Sequence, residues 1–257
     1  MSYEQLQLER RGSVALVTIQ NPPANTWNRG NLAALRQLVE DLNADRSVRA
    51  LVLTGEGAKF FSAGADLNQF ASGDTQVAKE VGELFGAAFE TLSAFRGISI
   101  AAINGYAMGG GLEAALACDL RVAEEKAVMA LPEAVVGLLP CAGGTQLLTR
   151  VVGEPWAKRM ILLGERVDAA TALRIGLVDE VVPAGGAVEK ALELATKVEK
   201  QSPDSVAACK RLIQGTRSEP LSTQLPAERA EFIDLFKGPN QKEGTNAFLE
   251  KRAPQWT

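Results

Sequence analysis

Hydrophobic and polar positions alternate between two periods along the first half of the chain. Ser13–Gln20 (S-V-A-L-V-T-I-Q) is rich in β-branched residues and predicts a strand, which Asn21-Pro22-Pro23-Ala24-Asn25 ends because proline cannot continue a ladder. Leu32, Leu35, Leu38, Val39 and Leu42 then share one helical face. Arg49–Thr54 predicts a buried strand, and Gly55-Glu56-Gly57 turns the chain into Lys59–Phe70. In Asp74–Phe95, apolar residues from Val77 to Phe95 recur at spacings of three and four, predicting a long helix. Ile98–Ile103 is apolar throughout, as in a sheet covered on both faces. Asn104-Gly105 turns, Gly109-Gly110-Gly111 leads into a short helix over Leu112–Cys118, and Asp119–Ala123 predicts another strand.

Strand–helix alternation up to about residue 125 argues for a parallel or mixed sheet of βαβ units. Beyond Gly144 the pattern is mostly helical: Thr145–Val151, Pro155–Leu163, Ala169–Ile175, Val188–Lys200, Ser205–Gly215, Ala227–Phe236 and Gln241–Lys251. The expectation is an α/β core over residues 1–195 and an all-helical C-terminal extension over 196–257. An extension of this kind must bury its apolar faces, and a second subunit is a plausible place.

Composition narrows the chemistry. The 257 residues contain no histidine, which removes Ser-His-Asp and Cys-His catalysis and every imidazole metal site. Acid–base work falls to carboxylates, Lys, Tyr, Cys or water. The net charge of −4 gives no nucleic-acid footprint. Three cysteines without a C-x-x-C pair fit a reducing compartment; Cys118 and Cys209 read as structural, and Cys141 as a loop thiol without a visible base. The longest uncharged runs, Gly12–Asn28, Gly97–Leu112 and Ala134–Thr149, are broken by Gly or Pro and fall short of the roughly 20 residues a membrane span needs. The N-terminus has no signal-peptide pattern, so a cytoplasmic protein is expected.

Three stretches concentrate glycine: Phe60–Leu67, Ile103–Glu113 and Leu131–Thr145. In the second, a buried strand enters a glycine turn that opens a helix. Unpaired N–H groups there carry the positive end of the helix dipole, and the missing side chains admit a substrate oxygen. Two readings fit: an oxyanion-stabilising turn, or glycine for turn geometry alone. Glu113 follows directly, placed either for the dipole or for chemistry. Glu133 stands in an otherwise apolar stretch, where a solvated-face reading is harder. Burial would raise both carboxylates toward the range useful for proton transfer. There is no G-x-x-x-x-G-K-[ST], and Gly109–Gly111 lacks a G-x-G-x-x-G continuation.

Taken in order, S-A-G-A-D at Ser62–Asp66, N-G-Y-A-M-G-G-G-L-E at Asn104–Glu113 and P-E-A-V-V-G-L-L-P-C-A-G-G-T-Q at Pro132–Gln146 resemble the enoyl-CoA hydratase/isomerase (crotonase) family along essentially the whole chain. The resemblance implies a crotonase-like α/β fold of repeated ββα units with a helical C-terminal part, assembled as a homotrimer or homohexamer. It implies acyl-CoA thioester substrates, with CoA as part of the substrate and no separate cofactor or metal. The oxyanion hole falls on the N–H groups of Ala65 and Gly110, and CoA contacts fall on Ala24, Ala63, Asp66, Leu67, Phe248 and Lys251. Both hydratase acids are matched, by Glu113 and Glu133, so reversible addition of water to a 2-enoyl-CoA is the leading expectation, with Glu113 as base and Glu133 as proton donor. The alternatives are a Δ3-Δ2 enoyl-CoA isomerase and a non-catalytic acyl-CoA or RNA binding protein; lack of basic clusters disfavours RNA. Cys141, Leu131 and Leu147 depart from residues common in the family (Gly, Gln and Arg) and are expected around the pocket. Phe85 and Phe89 are expected on the pocket wall or in the core.

Overall fold

The alternation of side chains along β-strands separates the molecule into two apolar layers. In the computed structural model, which describes residues 2–257, Val17, Ile19, Leu51, Leu53, Ala101 and Ile103 point into one buried cluster, while Val14, Leu16, Ala50, Val52, Ile100 and Ala102 point into another. These residues belong to β2 (Val14–Ile19), β3 (Ala50–Gly55) and β5 (Ile98–Ile103), interior strands of a six-stranded sheet. Its order is β1-β2-β3-β5-β7-β10, with β1 at Leu6–Arg11, β7 at Leu120–Glu124 and β10 at Glu180–Val182. All neighbours run parallel except β1 against β2. β1 was not expected: it is an edge strand whose outward residues are polar, so it carries little apolar signal.

One face of this sheet is covered by α1 (Arg29–Ala44), α2 (Thr75–Ser93) and α3 (Gly110–Ala117). Asn28 caps α1 by a reciprocal capping box with Asn31, and Leu32, Leu35, Leu38, Val39 and Leu42 are its buried stripe. Asp74 caps α2 by accepting from Gln76 N–H, and Val81, Phe85, Ala88, Phe89 and Leu92 are buried. The other face packs on α6 (Ala187–Thr196) through Ala187, Ala191 and Ala195.

A second sheet went unread in the sequence. It contains β4 (Phe60–Ser62), β6 (Tyr106–Met108), β8 (Val128–Ala130) and β9 (Val167–Asp168), in that order. With strands this short, period-two patterning is invisible. Each of β3, β5 and β7 leads to a strand of this small sheet and then to a helix: α2, α3 and α4 (Gly144–Leu162). That succession is the repeated ββα unit. Asn104, in the turn between β5 and β6, joins the layers: its side-chain N–H donates to Gly55 O (2.8 Å) and Gly57 O (2.7 Å).

The helical remainder is α5 (Ala169–Arg174), α7 (Pro203–Gly215), α8 (Leu221–Leu235) and α9 (Pro239–Leu249). The break expected between two helices near Pro155 appears as a kink inside α4, with Gly153 at φ 77°. α8 starts six residues before the expected Ala227, because Pro226 lies just beyond the first turn and forfeits one backbone bond. No residue of α8 is buried, and Leu221, Phe232 and Ile233 are each more than 60 % exposed. Among the described residues, no helix is long and apolar enough to cross a membrane.

Candidate active site

The carboxyl ends of β4, β6 and β8 are adjacent, and each continues into one of the three glycine-rich stretches. Ligand crevices in α/β sheets form at such strand ends. After β4, Trp27 N–H donates to Gly64 O (2.8 Å) and Asp66 N–H donates to Trp27 O (2.9 Å). In this parallel bridge the residues on either side of Ala65 make both bonds, so the N–H of Ala65 itself faces away from Trp27. After β6, Gly109 N–H donates to Ala130 O (3.0 Å), and Gly110 is the first residue of α3, where an N–H has no intrahelical acceptor. The two turns touch. Gly64 has φ +92°, and a β-carbon on it would lie 2.7 Å from Met108 O and 3.2 Å from Gly110 N, so only glycine fits.

Glu113 lies on α3 and is 2 % exposed. Its Oε1 accepts from Ala142 N–H (2.8 Å) and Gly144 N–H (2.9 Å), which fixes the carboxylate against the start of α4. Burial raises its pKa, and these two N–H groups oppose the rise. Glu133 begins the 3-10 turn Glu133–Val136 that follows β8. Its Oε1 lies 3.0 Å from the place of a β-carbon on Gly109, which has φ +51°. Its Oε2 is buried without a hydrogen-bond partner among the described residues. Burial, with a smaller contribution from the charge of Glu113, raises the Glu133 carboxyl to about 7. Burial and then Glu113 push the Cys141 thiol up to about 11, so it stays a thiol near neutral pH.

A cavity of about 650 Å³ brings these groups together. Ala63, Ala65, Leu67, Gly110, Glu113 and Glu133 all line it. Phe85 lines it as well, while Phe89 is core, edge-on to Trp27 at 5.5 Å. Of the three departures from family residues, Cys141 is on the wall; Leu131 and Leu147 pack behind it. Ala24 and Asp66 support the rim: Ala24 O accepts from Ala63 N–H (2.9 Å), and the Asp66 carboxylate accepts from Asn68 N–H (3.1 Å). The structure does not bring Phe248 or Lys251 to the cavity wall of their own chain; Phe248, on α9, is 83 % exposed.

Sequence reasoning passed over Ala142 and Gly144 as the holders of Glu113, although the glycine pair Gly143-Gly144 was a usable signal. It also passed over Arg166 and Gly82 on the cavity wall, for which the local sequence carries no sign.

Glycine-walled N–H groups and two desolvated carboxylates thus stand together at the ends of stacked ββα units. The enoyl-CoA hydratase/isomerase family matches residues 9–257. The 2,3-dehydroadipyl-CoA hydratase of Escherichia coli is 41 % identical over 255 residues, 98 % of each chain. The solved structure of Pseudomonas aeruginosa DspI is 61 % identical with a TM-score of 0.97, over 100 % of this chain and 98 % of that one. An enoyl-CoA hydratase from Bacillus anthracis is 33 % identical with a TM-score of 0.93, over 98 % and 99 % of the two chains. The chain belongs to the enoyl-CoA hydratase/isomerase family, and its fold is crotonase-like.

Proposed function

We propose that the protein hydrates 2-enoyl-CoA thioesters reversibly to 3-hydroxyacyl-CoA. The observation that carries this is two desolvated glutamates on one cavity wall beside two backbone N–H groups that lack acceptors among the described residues. The N–H groups of Ala65 and Gly110 hold the thioester oxygen, which makes C3 electrophilic and stabilises enolate character at C2. Glu113, fixed through Oε1, takes a proton from water with its other oxygen as the water adds to C3. Glu133, with a pKa of about 7, is partly protonated near neutral pH and delivers a proton to C2. Addition of water transfers no net electrons, so the scheme needs no redox cofactor, and the two N–H groups polarise the thioester in the role a Lewis acid would otherwise fill; CoA is the substrate's carrier.

CoA lies along the rim made by Ala24, Ala63, Asp66 and Leu67. Phe248 and Lys251 reach it from a neighbouring subunit of a homotrimer or homohexamer, a reading supported by the exposed apolar residues of α8 and α9. The test is loss of the conjugated-thioester absorbance with crotonyl-CoA, wild type beside Glu133→Gln. Rapid loss in the wild type alone is expected. No loss in either, with turnover of a 3-enoyl-CoA, would replace hydration by isomerisation.

A further inference from the structure

The cavity wall carries one charge that the acid–base scheme leaves unused. Arg166 lines the cavity that holds Glu113 and Glu133. It immediately precedes β9, whose Val167 pairs with Met129 of β8. It is also close to the segment after β8, since a β-carbon on Gly164 would lie 3.9 Å from Val135 Cγ2. The acids beside it in the chain are engaged elsewhere. Glu165 holds the Arg159 guanidinium through bonds of 2.6 and 2.7 Å, and the Asp168 carboxylate accepts from Thr171 N–H (2.7 Å) at the start of α5. Arg166 itself has no hydrogen bond or ion pair among the described residues. Burial raises the carboxyls of both Glu113 and Glu133, the charge of Glu113 adds to the rise of Glu133, and no cation is among the causes. The guanidinium therefore does not serve to hold either acid ionised.

The order of the small sheet gives its place along a bound acyl chain. The oxyanion donors hang from the ends of β4 and β6. C2 and C3 lie on the acyl side of the thioester carbon, and the acids that would act on them follow β6 and β8. The chain thus runs from β6 toward β8, and the next strand is β9, about 10 Å from β6 at two strand spacings. CoA leaves in the opposite direction, past Leu67. A guanidinium without a counter-ion, at the acyl end of a mostly apolar wall, matches a carboxylate in geometry and charge.

We propose that Arg166 binds a carboxylate at the far end of the acyl chain, so that the preferred substrates are 2-enoyl-CoA thioesters ending in a carboxylate. This rests on the acyl-thioester reading of the site. The test measures binding without turnover, using adipyl-CoA, hexanoyl-CoA and free CoA, each with wild type, Arg166→Gln and Arg166→Lys. Wild type is expected to bind adipyl-CoA about 10- to 100-fold more tightly than hexanoyl-CoA, the range of a charge-assisted hydrogen bond. Arg166→Gln removes the preference, Arg166→Lys restores part of it, and free CoA binds all three alike. Equal affinity of wild type for the two acyl-CoAs overturns the proposal. Equal weakening of all three ligands by Arg166→Gln also overturns it and assigns the guanidinium to the CoA phosphates. Failure of wild type to bind any of them overturns the acyl-thioester reading itself, and the role of Arg166 with it.

Discussion

The turn after β6 and the segment after β8 each supply one glutamate to the cavity, and they do so in opposite ways. The first is rigid and enclosed: every residue of α3 is buried, and Glu113 is held by two backbone N–H groups. The second is open and apolar: Val135 is 81 % exposed, Leu139 is 67 % exposed, and Glu133 keeps a buried oxygen with no partner among the described residues. A carboxylate fixed by N–H donors is ready to accept a proton in one direction. A desolvated carboxyl with one oxygen left unpartnered holds its proton to higher pH and can give it away. The contrast in surroundings is the physical basis for the proposed division of roles.

The most direct way to break this contrast is to neutralise each acid in turn. Glu113→Gln and Glu133→Gln should each lower kcat for crotonyl-CoA hydration by about 10²- to 10⁴-fold, with CoA affinity nearly unchanged. In the wild type, kcat/KM should fall as pH rises past about 7, where Glu133 loses its proton. The apparent values belong to the pair, since the two charges interact. Near-normal turnover in either variant would end the two-acid scheme. Somewhat smaller is the effect of removing a donor from the rigid turn: Gly110→Pro should cost about 10²- to 10³-fold in kcat, with circular dichroism as the check on folding.

Gly144→Ala probes how firmly Glu113 must be held. Its β-carbon would sit 2.9 Å from Glu113 Oε1 and 2.7 Å from Pro140 Cβ, so the carboxylate must shift. About 10- to 100-fold in kcat is expected, with KM little altered. An unchanged kcat would mean that the fixing of Glu113 has no catalytic value.

Glu133 makes a separate prediction about stability. In the unfolded chain it loses its proton near 4.5, and in the folded chain only near 7. Between those values the native state binds more protons, so its stability falls as pH rises from about 4.5 to 7. Glu133→Gln removes that cost. Because the side chain is partly exposed, the full shift is discounted, and a gain of about 1–2 kcal/mol is expected at pH 8 with none at pH 4. Equal unfolding midpoints of variant and wild type in urea at pH 8 would show that Glu133 is not desolvated.

How much of this could be read in the chain depends on element length. β2, β3 and β5, and the stripes of α1 and α2, are long enough for a period to show, and they lie where expected. β4, β6 and β8 have three residues each, too few for a pattern, and they bring the three glycine-rich stretches together. Glu113 and Glu133 could therefore be singled out as types in unusual surroundings, but their meeting follows from strand order in a sheet with no local signature. Phe248 and Lys251 stand at the other extreme: resemblance pointed to them, and nothing within the chain carries them to the cavity.

The smallest expected effect tests whether the open segment is a ligand wall or misplaced core. Val135 lines the cavity and is largely exposed, so a polar replacement leaves little buried contact to lose. Val135→Ser should change unfolding free energy by no more than about 0.5 kcal/mol, as at ordinary surface sites. An acyl chain lying against it would lose roughly one methylene's worth of burial, about 0.8 kcal/mol, which raises KM for a longer enoyl-CoA about 2- to 4-fold. Crotonyl-CoA, too short to reach past the acids, should keep its KM. A destabilisation of several kcal/mol would instead make this segment part of the folding core, and its exposed apolar residues would need another explanation than substrate.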